Sequence, residues 1–176
     1  MENKKIALLR GVTPVGQNKI PKMSYLREIL ETVGLQFVQT YIQSGNIICK
    51  TDLADGELSQ LIHNTIKSNI GADLAVIIKN QAQLARAVAE QPFDNSYDSS
   101  RIHLVFTNDT LPLEKIVELL KQDFGDEEFH AGNQCLYMYL PREAKKKKLN
   151  TNYLEKQLDI TATMRKLSVA SRLSEM

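Results

Sequence analysis

Two periodicities of apolar residues run along this chain, one typical of strands and the other of helices. The continuous apolar run Ile6–Leu9 predicts a buried strand. Between Pro21 and Gly34 the apolar residues recur at helical spacing, which predicts a helix with Pro21 in its first turn and Gly34 as its C-terminal cap. The elements predicted next are a strand over 35–42, a strand over 46–50, a helix over 58–66, a strand over 73–79 and a helix over 81–91.

The same order of elements returns after a polar, turn-rich stretch from Pro92 to Ser100. Its predicted members are a strand over 101–107, a helix over 113–124, strands over 127–130 and 134–140, a helix over 152–158, a strand over 160–164 and a short terminal helix. We therefore predict an N-terminal lobe over 1–92, a linker over 93–100 and a C-terminal lobe over 101–176.

The order β-α-β-β-α-β-α, read twice, is the split βαβ arrangement of ferredoxin-like lobes. The predicted fold class is α+β, with two such lobes, each a mostly antiparallel sheet with helices packed on one face. One short sequence similarity, which we call the Gly-Asn echo, accompanies the repeated order of elements: Gly45-Asn46 and Gly132-Asn133 both follow the second strand of a lobe.

Composition and charge narrow the function classes. The chain has 176 residues, 43% of them hydrophobic, and a net charge of +1, so no strong overall attraction to nucleic acid or membrane is expected. It contains no apolar run of the roughly 18 residues that span a membrane. Its first residues lead directly into a strand instead of a signal peptide, so we expect a cytoplasmic protein with no membrane partner. Cys49 and Cys135 lack metal-ligand spacing and are expected to be reduced and buried.

The split βαβ topology brings two polar, glycine-containing segments together. The loop after the first strand and the first hairpin turn should meet at one edge of the sheet, near the N-terminus of the first helix, where an anion is favoured. This edge is the candidate ligand site, and its residues are Arg10, Gly11, Gly16, Asn18, Lys19, Gln43, Ser44, Gly45 and Asn46. A second interpretation stays open, in which the glycines only allow turns and Arg10 pairs with an acidic neighbour.

The sequence identifies catalytic residues less clearly than it identifies the candidate ligand site. The sequence has no phosphate-binding or dinucleotide-binding glycine motif, and we predict neither a metal site nor a cofactor. Ser44 is the best candidate nucleophile, although it lacks the nucleophile-elbow pattern. His63, His103 and His130 have no partner at metal-ligand spacing. The catalytic residues therefore remain unknown, and so does whether the protein is an enzyme.

Two segments resemble a known family. Leu8-Leu9-Arg10-Gly11-Val12, followed by Asn18-Lys19-Ile20, and Thr40–Asn46 closely resemble the bacterial family called domain of unknown function 1697. The pattern of that family runs LLRGINVGG, then NK and an apolar residue, then TYIQSGNVVF. Here Thr13–Gln17 stands where the family has Asn-Val-Gly-Gly, and Thr163–Leu167 stands near its T-x-R-N-W segment. The resemblance implies an intracellular protein of that fold and no established reaction.

Two further features add alternatives. Lys145–Lys148, with Arg142, can contact phosphate backbones or form a solvated surface. Tyr137 and Tyr139 share one strand face, where they can stack on bases or pack under a helix.

Three classes of function fit the sequence. The first is a binding module for a nucleotide, phosphate or RNA backbone at the candidate edge. The second is an enzyme acting on a phosphorylated or carboxylated small molecule there, and the third is a protein-interaction module. The oligomeric state stays open.

Overall fold

A computed structural model describes residues 3–42 and 45–176. By its internal contacts the chain divides into two units, one running to Gln81 and including Met176, the other covering Ala82–Glu175. Each unit contains a four-stranded antiparallel sheet with the strand order of a split βαβ lobe. The predicted fold class, α+β with two ferredoxin-like lobes, is confirmed.

The first unit builds its sheet in the order β2-β3-β1-β4. Its elements are β1 (Asn3–Arg10), α1 (Met23–Thr32), β2 (Gln36–Tyr41), β3 (Asn46–Thr51), α2 (Asp55–Ile70) and β4 (Ala75–Lys79). Neighbouring strands are antiparallel throughout, with Ala7 opposite Ile47 on β3 and Ile78 on β4. Consequently β1 lies in the middle of the sheet, where neighbours on both sides satisfy its backbone hydrogen bonds.

The core of the first unit lies between the sheet and its two long helices. Alternation along β1 points Ala7 and Leu9 at the helices, where they pack with Leu26 and Ile62. The next residues in the alternation, such as Leu8, point to the opposite face and are also buried. Burial on both faces explains why β1 reads as an unbroken apolar run and not as an alternating one.

Helix α1 ends as predicted and begins two residues later than predicted. Gly34 has φ of +103°, and the N–H groups of Gly34 and Leu35 donate to the carbonyls of Glu31 and Leu30, which forms a Schellman cap. The first helical residue, however, is Met23, so the prediction that Pro21 occupies the first turn is wrong. Proline suits the extended chain before a helix as well as its first turn.

The second unit repeats the arrangement with the strand order β6-β7-β5-β8. Its elements are α3 (Gln81–Ala89), a short 3-10 helix (Ser99–Arg101), β5 (Ile102–Thr107), α4 (Leu113–Leu120), β6 (Glu128–Ala131), β7 (Leu136–Tyr139), α5 (Thr151–Leu158), β8 (Ala162–Lys166) and α6 (Leu167–Glu175). Val105, Met138 and Ala162 face α4 and α5 and form its core with Leu154. Each unit thus contains the predicted succession β-α-β-β-α-β, while α3, the seventh element predicted for the first lobe, belongs by its contacts to the second unit except for Gln81.

Helix α4 ends at Leu120, four residues before the end of the predicted range 113–124. Its apolar residues do not all face the core: Ile116 and Leu119 are buried, whereas Leu113, Val117 and Leu120 are 72%, 51% and 45% exposed. The helix is only eight residues long and packs through one narrow stripe, so the remaining apolar positions lie outside it.

The predicted linker over 93–100 carries ordered contacts within the second unit. Phe93 is buried, and its ring lies 4.9 Å from the ring of Tyr97 and 5.8 Å from that of Tyr139. The Tyr97 hydroxyl donates to Glu128 Oε1 at 3.1 Å. These contacts hold the segment against the β6–β7 edge of the sheet, while its role as a boundary between independently folding parts stays a prediction.

Both cysteines are free and buried, as predicted. Burial raises the pKa of the Cys49 thiol to about 11, which keeps the thiol protonated at neutral pH. In a Cys135→Ala variant at pH 8, we expect an aromatic disulfide reagent to label native Cys49 about 100-fold or more slower than the same thiol in denaturant, because two pKa units remove that much thiolate. Equal labelling rates would contradict this assignment.

Candidate functional site

The end of β1 and the first hairpin turn meet, as the topology predicts. The N–H of Leu9 donates to the carbonyl of Gly45 at 2.9 Å. Arg10, the last residue of β1, lies opposite Ala75 at the start of β4. Gln43 and Ser44, two of the predicted site residues, lie outside the described residues. The candidate edge is therefore built here from the end of β1, the loop 11–22, Gly45, Asn46 and the segment before β4.

Gly45 is required by packing as well as by its backbone. Its φ is +83°, and a Cβ at this position would lie 2.8 Å from Leu9 Cβ and 3.0 Å from Val12 Cγ2. The other half of the Gly-Asn echo is not equivalent: Gly132 has no positive φ and instead lies against the ring of Tyr137. The echo therefore does not mark matching positions of the two lobes.

The loop after β1 closes on itself. The N–H of Thr13 donates to the carbonyl of Asn18 at 3.1 Å, and the N–H of Lys19 donates to the carbonyl of Gly16 at 3.3 Å. Val15 at the tip is 75% exposed. Gly16 therefore belongs to a projecting turn, whereas Gly11, with φ of +95°, lies at its base next to Leu74.

Asn18 ties this loop to the strand on the other side of β1. Its Oδ1 accepts the N–H of Asp73, just before β4, at 3.2 Å. The second lobe has an equivalent hydrogen bond: the carboxylate of Asp109, after β5, accepts the N–H of Thr161, before β8, at 2.8 Å. With its oxygen used in this way, the Asn18 side chain presents its NH₂ group, a donor suited to an anion.

The strand pleat separates the side chains that were expected to converge on the N-terminus of α1. Leu9 faces the helices, so Arg10, the next residue, projects toward the opposite face, and the register puts Asn46 on that face too, across from Leu8. Asn46 is fully buried and donates to the carbonyl of Tyr41 at 3.0 Å. Convergence on the helix terminus is therefore wrong for these two side chains, although they lie at the same end of the sheet.

Two basic side chains and the carboxylate of Asp73 supply the charge at this edge. Lys19 is exposed and Arg10 is half-buried. Helix α1, which the structure describes in full, has no acidic residue in its first turn and no side-chain cap on its N-terminus. The N–H groups of that first turn therefore add positive potential on the helix face of the sheet, opposite the face toward which Arg10 projects.

The sequence did not show that His63 and the carboxylate of Asp73 lie beside the candidate edge. His63 Nδ1 on α2 lies 2.8 Å from the carbonyl oxygen of Leu74, and its Nε2 lies 3.6 Å from Asp73 Oδ1. Since a carbonyl only accepts, Nδ1 carries the hydrogen in this contact, and Nε2 is the ring nitrogen that faces the Asp73 carboxylate. No spacing in the sequence links His63 to Asn18, because only the fold brings α2 and the first loop to the segment before β4.

The other residues singled out by the sequence lie in the second lobe. His103 is buried on β5, which lowers its pKa. His130 on β6 has Nε2 3.0 Å from Glu128 Oε1. Tyr137 is buried, and its hydroxyl donates to the carbonyl of Ala87 on α3 at 2.6 Å, so packing under a helix is confirmed for it. Within the described residues, no group of three or more His, Cys, Asp or Glu side chains is placed to hold a metal ion.

These features define the class of protein: an α+β chain of two ferredoxin-like lobes, with a glycine-containing basic edge on the first. The sequence pattern of the family described as "Protein of unknown function (DUF1697)" matches residues 2–137, and the chain belongs to this family. The conserved bacterial protein SP0830 from Streptococcus pneumoniae has a similar structure, with a TM-score of 0.72 and 17% sequence identity over 99% of this chain and 98% of that one. No curated protein matches the chain. Among residues 3–42 and 45–176, no helix is long and apolar enough to cross a membrane.

Proposed function

We propose that the first lobe is a binding module for an anionic ligand, a nucleotide, a phosphate or an RNA backbone, at the edge formed by the loop after β1 and the first hairpin turn. The observation that carries the proposal is the bond from Leu9 N–H to the Gly45 carbonyl, which puts the two segments side by side at the end of β1. The uncapped N-terminus of α1 and exposed Lys19 add positive potential to this end.

The proposed contacts divide into binding groups and supports. The Arg10 guanidinium offers a planar fork for two oxygens of a phosphate or carboxylate, and the Asn18 NH₂ group and Lys19 add further donors. Gly11 and Gly45 are supports as well: a Cβ on Gly45 would collide with Leu9, and one on Gly11 would contact Leu74, so these glycines allow the segments of the edge to pack closely. Asn46 supports the hairpin from inside instead of touching the ligand.

The enzyme alternative at the same edge has one observation in its favour. His63, with Nε2 beside the Asp73 carboxylate, is a group that can exchange a proton close to the Asn18 donor. As an enzyme, the protein would use His63 as acid or base toward a bound phosphorylated or carboxylated molecule. A His63→Gln variant that keeps binding and loses turnover would support this alternative.

Thermal unfolding in the presence of inorganic phosphate, nucleotides, short RNAs and small carboxylates tests the binding proposal. A ligand present at about 100 times its Kd should raise the Tm of the wild type by roughly 5 °C or more. In Arg10→Ala the same ligand should give no shift, because the bidentate contact is lost, while the Tm without ligand stays close to that of the wild type.

Arg27→Ala is the matched control, since it removes the same charge from an exposed position on α1. It should respond to ligand as the wild type does. If both variants lose the ligand-induced rise in Tm equally, the rise depends on the overall charge of the protein and not on a contact with Arg10. No shift of the wild type with any anion would overturn the proposal in favour of a protein-interaction module, and a large fall of Tm in Arg10→Ala without ligand would make Arg10 a structural residue.

A further inference from the structure

The two lobes differ most in the connection between their third strand and second helix. In the first lobe residues 52–54 join β3 to α2, whereas in the second lobe residues 140–150 join β7 to α5. An extended connection on one of two similar scaffolds is a common place for function, because the strands and helices on either side fix its position. We call residues 140–150 the basic loop.

The basic loop concentrates positive charge on a chain whose net charge is only +1. It carries Arg142 and Lys145–Lys148 against a single carboxylate, that of Glu143. Arg142 and all four lysines are exposed. In the part of the chain that the structure describes, Lys145, Lys146 and Lys147 take part in no salt bridge. Their charge is therefore directed at solvent instead of being neutralised within the protein.

The backbone of the basic loop is held in place from inside. Ala144 and Leu149 are buried on either side of the lysines. Glu127, itself only 5% exposed, accepts the N–H of Lys148 at 2.7 Å and that of Leu149 at 2.9 Å, both on Oε1. Asn150 then caps α5 by accepting the N–H of Tyr153. An ordered loop loses less conformational entropy when it binds than a flexible lysine tail does.

An aromatic surface adjoins the lysines. Lys148 Nζ lies 5.4 Å from the centre of the Tyr153 ring and 6.0 Å from that of Phe124. Tyr153 is half-buried, so part of its ring faces solvent. Cations that follow a backbone beside a partly exposed aromatic ring form the combination that single-stranded nucleic acids bind.

We propose that the basic loop binds the phosphate backbone of a single-stranded nucleic acid, with Lys145, Lys146 and Lys147 on phosphates and a base stacked on Tyr153. This site lies in the second lobe and is independent of the anion site proposed for the first. The chemistry favours nucleic acid over an anionic membrane because Ala144 and Leu149, on either side of the lysines, are buried and Leu140 packs against the core. Stable membrane attachment needs an apolar or lipid anchor in addition to basic residues.

The test is fluorescence anisotropy of a labelled single-stranded oligonucleotide titrated with the full chain at several salt concentrations. A variant with Lys145, Lys146 and Lys147 all changed to Gln should bind at least about tenfold more weakly, with the slope of log K against log salt reduced by about 2, since three phosphate contacts are lost. Tyr153→Leu should weaken binding while leaving that slope unchanged.

The matched control changes Lys50, Lys67 and Lys115 to Gln, which removes the same charge from exposed positions elsewhere. It should bind as the wild type does, and both triple variants should keep the wild-type Tm. The proposal is overturned if both variants lose affinity equally, if the wild type shows no salt-dependent binding at 50 mM salt, or if phosphatidylserine vesicles bind it and the oligonucleotide does not. Loss of binding in Arg10→Ala alone would assign the oligonucleotide to the first lobe instead.

Discussion

Gly45→Ala is expected to lower the free energy of unfolding by about 3 kcal/mol or more, since the change combines backbone strain with a steric clash. The residue has φ of +83°, where an L side chain is strained, and the new Cβ would meet Leu9 Cβ at 2.8 Å. Leu9 is on the central strand and cannot move without disturbing the core. Chemical denaturation followed by circular dichroism would measure the loss.

Gly34→Ala separates the two contributions. Gly34 also has a positive φ, +103°, but a Cβ there would meet nothing within 4 Å. Its loss should be limited to strain, about 1–2 kcal/mol. If Gly45→Ala is no more destabilising than Gly34→Ala, the close approach of the hairpin turn to β1, and with it the placement of the candidate edge, is wrong.

Glu127→Leu is expected to destabilise the protein by about 3 kcal/mol, because it leaves two backbone N–H groups without their carboxylate acceptor. Those groups, on Lys148 and Leu149, both donate to Oε1 of a side chain that is only 5% exposed. The leucine side chain fills about the same volume as the glutamate but offers no hydrogen-bond acceptor. Hydrogen exchange at the two amides, together with denaturant unfolding, would show where the stability is lost.

Two further variants make the result specific. Glu127→Gln keeps an oxygen at the Oε1 position and should lose only about 1 kcal/mol, the difference between charged and neutral acceptors. Glu143→Leu changes an exposed carboxylate in the same loop and should be close to neutral. Unprotected amides in the wild type, or equal stability of all three variants, would show that Glu127 does not order the basic loop.

The order of elements could be predicted from the sequence because it depends on local periodicity. The apolar run of β1 and the helical repeat before Gly34 are set by residues within about two turns or one strand of each other. The two-lobe fold followed, because a repeated β-α-β-β-α-β-α order leaves few ways to bury each sheet. Element ends were less well predicted, as the late start of α1 shows.

From the sequence we could predict which segments form the candidate edge, but not which side chains contact one another there. Arg10, Gly11 and Gly45 stood out by residue type, and the topology placed their segments together. The link from Asn18 to Asp73 and the pair of His63 with Asp73 could not be predicted, since no sequence motif connects these residues and they meet only in the fold. The family resemblance drawn from the same residues was confirmed by the match over residues 2–137.

By itself, then, the sequence determined the elements, the topology and the chemical types available at the edge, since each depends on short-range pattern. Tertiary structure alone decided which face a side chain takes: the pleat of β1 sends Arg10 away from the helices, and the narrow packing stripe of α4 leaves Leu113 exposed. It also decided that Glu127 supports the basic loop. The surroundings of these side chains depend on residues that are distant in the sequence and close in the fold. No single local segment of the chain therefore determines them.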